Sequence, residues 1–491
     1  MSEADRSVGG ISEFRASEER VAEHSSVFRK ELGLRDLALT QILFIIGLSW
    51  VGAAAKLGPA HVIFWLLAIT FFYFPSAAVV IYLNRLMPLE GGLYQWAKLG
   101  FNELFGFMVA WNLWLYVITN TSEAGLQLAT NLAYAIGPSG AWIASNKWMI
   151  TLASVLVVGL LVYVSTVGLS VGKWVHNVGG IIMLAVFAVL IALPFVSVAR
   201  GTIGHYAPLA TALPVVSLFS LNILGKLGFG ALGGFEYVAI LAGECRNPGR
   251  TIGRSVLIAA PAIAIMFILG TSSVLAFVPF DKIDLIAPIP QVLSVGFAPF
   301  GLAALIVPVA LVLLITLRVA QASVNFTGLT RLPMVAGWDH LLPQWFTKLH
   351  PRHRTPVNSI LLVGAITLAL GLLSLIGVGN QESFQLLFNA GGIFYALTYL
   401  VMFAIPLVGL RDMGSSRPPW WLRVASASGF LMTLLYVCLS VFPIIEVKSS
   451  SAFTLKIAAV IVLANSLGGA IFLLGKRKRA RAASALALSA G

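Results

Sequence analysis

The segment LNILGKLGFGALGGFEY, residues 221–237, decides the fold of this chain. It is almost entirely apolar, yet it carries five glycines within ten residues and then the carboxylate of Glu236. Because glycine destabilises a helix interior by about 1 kcal/mol relative to alanine, a continuous helix is unfavourable here. We therefore predict a helix that is interrupted inside the membrane and exposes main-chain polar groups there. Close packing of small residues between helices is the alternative interpretation.

The composition of the whole chain indicates a helical membrane protein. Of its 491 residues, 58% are hydrophobic and 10% are charged, whereas a soluble domain has about 25% charged residues. In lipid every backbone polar group must be paired internally, which leaves helices or closed barrels. The long unbroken apolar runs favour helices over the alternating strands of a barrel. The two cysteines lie far apart without CxxC spacing, so we predict neither a disulfide nor a metal site.

A helix needs about 20 apolar residues to cross a bilayer. We call each predicted membrane-crossing segment a span and number the spans along the chain. The first 30 residues lack an apolar stretch, so no cleavable signal peptide is predicted. Twelve spans are predicted, at residues 38–57, 61–83, 102–136, 148–168, 174–198, 215–243, 253–280, 299–330, 356–378, 383–409, 421–443 and 453–475.

The distribution of basic residues supports this map. With both termini in the cytoplasm, 24 of the 32 Lys and Arg residues fall on the cytoplasmic side and 5 fall outside. This bias follows the positive-inside rule and predicts a multi-pass protein of the cytoplasmic (inner) membrane. The basic run KRKRAR, residues 476–481, is expected to contact anionic lipid headgroups. The net charge of +13 therefore reflects topology, and no nucleic-acid partner is predicted.

Span 1 contains a second candidate break. Its sequence IIGLSWVGAAAKLG, residues 45–58, has three glycines. Spans 1 and 6 lie five helices apart, as a five-plus-five inverted repeat requires. For span 1 alone, close helix packing explains the glycines equally well.

Three motifs resemble those of the amino acid–polyamine–organocation permeases. They are GFGALGGFEYVAILAGECRNPGRTIGRS at residues 228–255, PLEGGLYQWAKLGFNELFGFMVAWN at 88–112, and TRLPMVAGWDHLLPQWFTKLHPRHRTPVNSI at 330–360. The resemblance implies an all-α membrane protein with a LeuT-like fold. In that fold spans 1–5 and 6–10 form inverted repeats, and spans 11 and 12 follow. The implied divisions are a cytoplasmic N-terminal segment (1–36), the first repeat (37–198), the second repeat (215–409), spans 11–12 (421–475) and a basic cytoplasmic tail (476–491).

The chain departs from the family pattern at two positions. The family usually has G-[SA]-G at the span 1 break, where this chain has Trp50, Val51 and Gly52. The indole of Trp50 is expected to fill space near the α-carbon of a bound amino acid, which puts a standard α-amino acid substrate in question. Met183 stands where proton-linked members often carry a lysine. The lysine associated with proton coupling in those members is therefore absent.

The expected substrate site lies at the two breaks. Main-chain groups of the stretches Ser49–Ala53 and Ala231–Phe235 are expected to bind the substrate, with aromatic residues as gates. The candidate substrate-binding residues are Ser49, Trp50, Val51, Gly52 and Ala53 in span 1, and Phe229, Ala231, Leu232, Gly233, Gly234 and Phe235 in span 6.

Charged side chains inside the membrane are costly and indicate function by default. The coupling or gating candidates are Glu123, Lys226, Glu236 and Arg318, with Asn120 beside Glu123. A structural ion pair between Glu123 and either Lys226 or Arg318 is the alternative. A candidate Na⁺ site comprises Ser323, Asn325 and Thr327 in span 8.

These features predict a secondary active transporter of amino acids or related small amines that works by alternating access. It is expected to be coupled to H⁺ or Na⁺, or to work by exchange. The alternative function is a non-transporting substrate sensor or a partner-dependent subunit of the same fold. No cofactor is predicted. Phosphate-binding, zinc-protease and serine-hydrolase motifs are absent from the sequence, so we expect no enzyme activity. The substrate, the coupling ion, the oligomeric state and any protein partner stay open.

Overall fold

A computed structural model describes residues 19, 23, 30–136, 138–285, 287–301, 303–373, 380–409, 418–443, 447 and 449–490. Most of the predicted N-terminal segment, together with Arg411 and Arg417 of the loop before span 11, lies outside the described residues.

The regular secondary structure of the described residues is helical, apart from one isolated bridge between Leu32 and Cys245. The α-helices are α1 (Leu34–Ile45), α2 (Leu48–Ala55), α3 (His61–Ala68), α4 (Phe74–Leu86), α5 (Leu93–Gly100), α6 (Glu103–Ser122), α7 (Ala124–Ile136), α8 (Ala141–Ser145), α9 (Lys147–Val167), α10 (Leu169–Ala199), α11 (Leu218–Gly225), α12 (Tyr237–Ile240), α13 (Pro248–Phe277), α14 (Pro288–Phe297), α15 (Ala303–Leu329), α16 (Leu332–Trp338), α17 (Val357–Leu373), α18 (Asn380–Val408), α19 (Trp420–Leu439) and α20 (Ser450–Ala490). Two π-helical turns, Ile69–Tyr73 and Lys226–Ala231, interrupt spans 2 and 6.

Within the described residues, nine helices are long and apolar enough to cross a membrane. A tenth results if α1 and α2, which meet at 46°, form one bent span. Two further apolar helices, Leu218–Ala231 and Val357–Leu373, are shorter. Large apolar side chains on the outer faces of α9 and α10 are exposed, as expected for surfaces that face lipid.

Several helix starts are encoded locally. The side chain of Asn102 accepts hydrogen bonds from the first backbone N–H groups of α6, and Asn146 does the same for α9. Ser217 caps α11 through the N–H of Ser220. Such caps satisfy backbone donors that would otherwise lack an intrahelical partner.

The break in span 1 is not where the sequence predicted it. The predicted stretch Ser49–Ala53 is helical within α2, and the chain leaves the helix earlier, at Ile46 and Gly47, whose backbones are extended. The run of alanines after Gly52 favours continued helix, which explains why the break falls before it. A β-carbon at position 47 would lie 2.5 Å from Cδ1 of Trp50, so the tight packing at the break requires glycine.

The break in span 6 lies where the glycine density predicted it. After the π-turn, residues Gly233 and Gly234 are non-helical, and α12 begins at Tyr237. Gly234 has φ +138°, a conformation that L side chains rarely adopt, and a β-carbon there would meet Cδ1 of Phe44 at 2.6 Å. The two interrupted spans therefore touch at their breaks.

The three sequence motifs meet at one end of the helix bundle. Arg331 donates a hydrogen bond to Glu244, and its Nη1 atom lies 3.9 Å from Oε1 of Glu90. The other oxygen of Glu90 accepts from the N–H of Gly243 at 2.5 Å, and Lys30 donates to the carbonyl of Gly243 at 2.5 Å. We call these five residues the end cluster. It ties the start of the described chain to the segments after spans 2, 6 and 8.

A second group at the same end involves Asp339. Its carboxylate accepts from Tyr94 and from Lys98, the latter at 2.5 Å. Arg479 donates to the carbonyl of Asp339 and pairs with Glu103 through its two terminal guanidinium nitrogens. The basic run that follows span 12 therefore has a protein partner in addition to the predicted headgroups.

Burial in the end cluster makes its stability depend on pH. Burial raises the pKa of Glu90 to about 7, although Arg331, the N–H of Gly243 and Lys30 oppose this shift. A carboxyl group whose pKa is raised on folding stabilises the fold below its unfolded pKa, and this contribution is lost as the pH rises through its folded pKa. We therefore expect the free energy of unfolding of the wild type to fall between about pH 5 and pH 8. Glu90→Gln should lack this fall, because a glutamine side chain does not titrate.

Thermal unfolding in detergent across this pH range measures the effect. Glu382→Gln is the control, because Glu382 pairs with the exposed Lys456 away from the end cluster. An unchanged pH profile in Glu90→Gln would contradict the prediction.

Candidate substrate site

A cavity of about 130 Å³ lies beside the break in span 1. Its walls come from the α1–α2 break, the α6–α7 junction, the glycines of span 6, α15 and α18. The polar residues on its walls are Asn120, Glu123, Gln127, Asn131, Arg318, Gln321 and Asn325, with the hydroxyl-bearing Tyr116 and Tyr395.

The structure brings part of the predicted site together in this cavity. The predicted residues that line it are Trp50, Gly233, Asn120, Glu123, Arg318 and Asn325. The remaining predicted residues do not line it: Ser49, Val51, Gly52, Ala53, Phe229, Ala231, Leu232, Gly234, Phe235, Lys226, Glu236, Ser323 and Thr327. The cavity is thus bounded more by side chains of α6, α7 and α15 than by the unwound backbone.

The main-chain carbonyls at the span 1 break already have a partner. The side-chain amide of Gln321 donates to the carbonyl of Leu43 at 3.0 Å and to that of Ile46 at 2.6 Å. The indole of Trp50 packs over Gly47 and also reaches Gly230 of span 6, where a β-carbon would lie 2.7 Å from the ring. Side chains of the protein therefore occupy the observed break, and the predicted stretch Ser49–Ala53 lies within helix α2.

The span 6 break is held by two tyrosines of α18. The N–H of Gly234 donates to the hydroxyl of Tyr399 at 2.6 Å. Tyr399 and Tyr395 both donate to the carboxylate of Glu236, which is 1% exposed. Because Tyr395 also lines the cavity, its side chain connects the cavity to Glu236.

The two predicted aromatic gates of span 6 are part of the packed core. The ring of Phe229 lies 5.1 Å from that of Tyr399 and 4.8 Å from that of Tyr436. The ring of Phe235 stacks on Tyr73 at 4.7 Å. These contacts hold the backbone of the break on the side away from the cavity. Trp50 is the predicted gate that faces the cavity.

Glu123 occupies the non-helical turn between α6 and α7. One carboxylate oxygen accepts from Gln127 at 2.9 Å, and the other is buried without a hydrogen-bond partner in the described structure. The charge of Glu123 interacts with that of Arg318 across the cavity, but these two described residues form no direct ion pair. Among the described residues, the predicted pairing is thus a longer-range electrostatic interaction and not an ion pair.

Lys226 lies elsewhere. It is 2% exposed in the π-turn of span 6, and its Nζ atom lies 5.8 Å from the ring centroid of Tyr436 in α19. Such a cation–π contact offsets part of the cost of burying the charge. Within the described residues, no ion pair joins Lys226 to Glu123, so the predicted pairing of these two residues is not formed.

The three candidate Na⁺ ligands diverge. The hydroxyl oxygen of Ser323 lies 3.5 Å from Nε2 of His176, and that of Thr327 lies 3.2 Å from the hydroxyl oxygen of Ser165. Asn325 faces the cavity and donates to the carbonyl of Gln321. Because these side chains contact different neighbours, the structure does not bring their oxygens to one point beside span 1.

Sequence reasoning missed several residues of the site. Gln127 and Asn131 follow Glu123 by four and eight residues, so helical spacing places them on the same face and was an available signal. Gln321 precedes Asn325 by one helical turn and offered a similar signal. Tyr395 and Tyr399 carry no charge and pack among other aromatic residues, so only tertiary structure reveals their contacts with Glu236.

The family model for amino acid permeases matches residues 36–464. The chain belongs to the amino acid permease family. The permease is therefore a multi-pass membrane protein of a transporter family rather than an enzyme, as the sequence predicted.

Curated relatives of the permease are transporters. The probable agmatine/putrescine antiporter AguD of Lactococcus lactis is 22% identical, over 87% of this chain and 88% of AguD. The branched-chain amino acid permease BcaP of Bacillus subtilis is 24% identical, over 73% of this chain and 79% of BcaP. An uncharacterised transporter of Legionella pneumophila is 24% identical, over 77% of this chain and 80% of that protein.

A solved structure confirms the predicted fold type. The crystal structure of MhsT in complex with L-phenylalanine superposes with a TM-score of 0.59 at 14% identity. The match covers 84% of the permease and 98% of MhsT, which has a LeuT-like fold.

The tyrosine contacts at the span 6 break predict a stability effect. Tyr399→Phe leaves the Glu236 carboxylate with one donor fewer and the N–H of Gly234 without its acceptor. We expect a loss of about 1–3 kcal/mol in the free energy of unfolding, the usual cost of an unsatisfied buried polar group. Denaturant titration in detergent measures it. Tyr163→Phe, on the exposed face of α9, is the control, and an equal loss in both variants would argue against this role.

Proposed function

We propose that the permease is a secondary active transporter that moves amino acids or related small amines across the cytoplasmic membrane. One observation carries this proposal: two interrupted spans meet at the same polar cavity. Gly47 and Trp50 of span 1 and Gly230 and Gly233 of span 6 line it together. Broken helices that adjoin a shared cavity are the arrangement that many secondary transporters use to bind substrate.

The proposed architecture has twelve spans, with residues 37–198 and 215–409 as five-helix inverted repeats and 421–475 as spans 11 and 12. The positions of the breaks, in spans 1 and 6, support the repeat. The proposed orientation places residues 1–36 and 476–491 in the cytoplasm, in agreement with the positive-inside rule. In this orientation the end cluster lies at the cytoplasmic side.

The proposed mechanism is alternating access. Spans 1, 2, 6 and 7 rock against spans 3, 4, 8 and 9, with the cavity between the two groups. Glu244 follows span 6 and Arg331 ends span 8, so their hydrogen bond joins the two moving groups. Opening the cavity toward the cytoplasm separates this pair, and its reformation closes the path.

The proposed driving force is a gradient of H⁺ or Na⁺, or exchange against a second solute. Glu123 and Glu236 are the candidate proton carriers, because both are carboxylates at bilayer depth close to the cavity. For Na⁺, the oxygens of Ser323, Asn325 and Thr327 have to reorient toward a common point.

The second candidate function is a non-transporting sensor or a partner-dependent subunit of the same fold. The capping of the span 1 break by Gln321 favours it, because the main-chain groups are already satisfied in this conformation. Counterflow of labelled substrate into proteoliposomes that hold only the purified permease distinguishes the two functions. Counterflow supports the transporter, and binding without counterflow supports the sensor or subunit.

Gly234→Leu tests the role of the break. The side chain would force an unfavourable φ and would meet Phe44, so we expect uptake to be abolished while the amount of protein in the membrane stays unchanged. Uptake of a panel of labelled amino acids and diamines into proteoliposomes measures this. Gly159→Leu is the control, because an added β-carbon there meets nothing within 4 Å. Unchanged uptake in Gly234→Leu would count heavily against the proposed site.

A further inference from the structure

A second cavity lies between spans 3 and 12, away from the two helix breaks. Its volume is about 210 Å³, which is larger than that of the cavity at the breaks. It is lined by Phe107, Trp111 and Trp114 of α6, by α16 and the segment after it, and by Ile471 of α20. The described residues that line it are all aliphatic or aromatic, and none of them lines the cavity at the breaks. We call this second cavity the apolar groove.

The apolar groove has walls that pack directly on one another. The indole N–H of Trp111 donates to the carbonyl of Ala464 in α20 at 2.9 Å, and a β-carbon at Gly468 would lie 2.6 Å from the same indole. The ring of Phe107 lies 5.6 Å from that of Phe472. These contacts hold α6 against α20 and leave the groove beside them. Water gains no hydrogen bonds from such apolar walls, so hydrocarbon is the occupant that suits them.

The groove can be reached from the surrounding lipid. Among the described helices that are long and apolar enough to cross a membrane, α20 has the smallest buried share, 17% of its most apolar window. It therefore lies at the edge of the helix bundle. Trp111, Trp114 and Ile471 are each half-buried, so these three residues leave the groove open at the lipid-facing surface.

The length of the groove matches one leaflet of the bilayer. Helix α6 begins at Glu103, and Trp114 follows eleven residues later, which is about 16 Å along a helix axis. The hydrocarbon core of a bilayer is about 30 Å thick. The groove therefore runs from the headgroup level, at the start of α6, to about the middle of the bilayer. An acyl chain of a phospholipid has this position and this direction.

Basic residues stand at the headgroup end of the groove. Arg479 pairs with Glu103 and donates to the carbonyl of Asp339, so the basic run 476–481 lies at the start of α6. The two acidic groups here are already paired, Glu103 with Arg479 and Asp339 with Lys98. The other basic residues of the run are exposed and form no ion pair with another described residue: Lys476, Arg477, Lys478 and Arg481.

We propose that the apolar groove binds one acyl chain of an anionic phospholipid of the cytoplasmic leaflet, with the lipid phosphate at the four exposed basic residues of the run 476–481. The four positive charges complement an anionic headgroup. A zwitterionic headgroup is bound less well, because its own ammonium group opposes this attraction. The lipid joins span 3, the segment after span 8 and span 12, all of which line the groove. Basic residues that only attract a lipid surface would leave the groove unused, and this difference can be measured.

Native mass spectrometry of the intact, delipidated permease in detergent tests the ligand class. The probes are dioleoyl phosphatidylglycerol, dioleoyl phosphatidylcholine with the same chains, glycerophosphoglycerol as a headgroup without chains, and cholesterol. We expect phosphatidylglycerol to bind at least about tenfold more tightly than phosphatidylcholine, and glycerophosphoglycerol not to bind. Equal affinity for the two phospholipids, binding of the headgroup alone, or displacement of phosphatidylglycerol by an equal concentration of cholesterol would overturn the proposal.

Ile471→Trp tests the acyl-chain contact. The larger side chain fills part of the groove, so we expect the affinity for phosphatidylglycerol to fall by about tenfold, as the chain loses apolar contact area. Leu463→Trp is the matched control, because Leu463 lies on the same helix and is 69% exposed. Equal affinities in the two variants would show that the groove holds no chain and would overturn the proposal.

Replacement of the four exposed basic residues by glutamine tests the headgroup contact. The variant carries Lys476→Gln, Arg477→Gln, Lys478→Gln and Arg481→Gln. We expect it to lose the preference for phosphatidylglycerol over phosphatidylcholine. The control replaces four exposed arginines on other elements by glutamine: Arg85, Arg250, Arg254 and Arg423. An unchanged preference in the first variant, or the same loss in the control, would contradict the headgroup contact.

Fluorescence quenching supplies a test in which the groove is not filled by a larger side chain. Phosphatidylglycerol with brominated acyl chains should quench Trp111 and Trp114, because both indoles line the groove. The fraction of the emission that is quenched should therefore be smaller in a variant with Trp111→Phe and Trp114→Phe than in the wild type. An equal quenched fraction would overturn the proposal. None of these results depends on whether the permease transports a solute.

Discussion

The structure depends on the hydrogen bonds that the backbone N–H and C=O groups make at two helix breaks. Inside the membrane no water is present to replace the bonds that each break removes. Within lipid an unpaired N–H or carbonyl costs several kcal/mol. In this permease side chains supply the missing partners: Gln321 binds the carbonyls of Leu43 and Ile46, and Tyr399 accepts from the N–H of Gly234. Helices α15 and α18 therefore hold the two breaks in place through these hydrogen bonds. Both helices and both breaks line the cavity.

Helix α15 also connects the cavity to the end cluster. Arg318, Gln321 and Asn325 project from α15 into the cavity, and Arg331, just beyond the end of α15, binds Glu244 after the span 6 break. In the proposed mechanism, separation of Arg331 from Glu244 moves the wall that carries Arg318. Closure of the path from the cavity to the cytoplasm is thereby linked, through α15 alone, to the position of the Arg318 charge.

Much of the fold follows from the sequence, because its signals are local or compositional. Apolar runs mark the membrane-crossing helices, and the glycine density of residues 225–234 places the span 6 break. Glu123 and Arg318 could be predicted as site residues because they are charged side chains within membrane-crossing segments. In the structure both line the same cavity. The span 1 break was misplaced at Ser49–Ala53, because the alanine run there keeps its helix and the break forms earlier. The capping partners are remote in sequence, with Gln321 and Ile46 separated by 275 positions, so no local pattern shows them.

A density map of the purified permease in lipid, at a resolution that shows side chains, tests directly whether side chains hold two broken spans. We expect spans 1 and 6 to be interrupted at Ile46–Gly47 and at Gly233–Gly234, with the Gln321 amide against the carbonyls that end α1. Continuous helical density through both positions, with Gln321 turned away from span 1, would contradict this expectation.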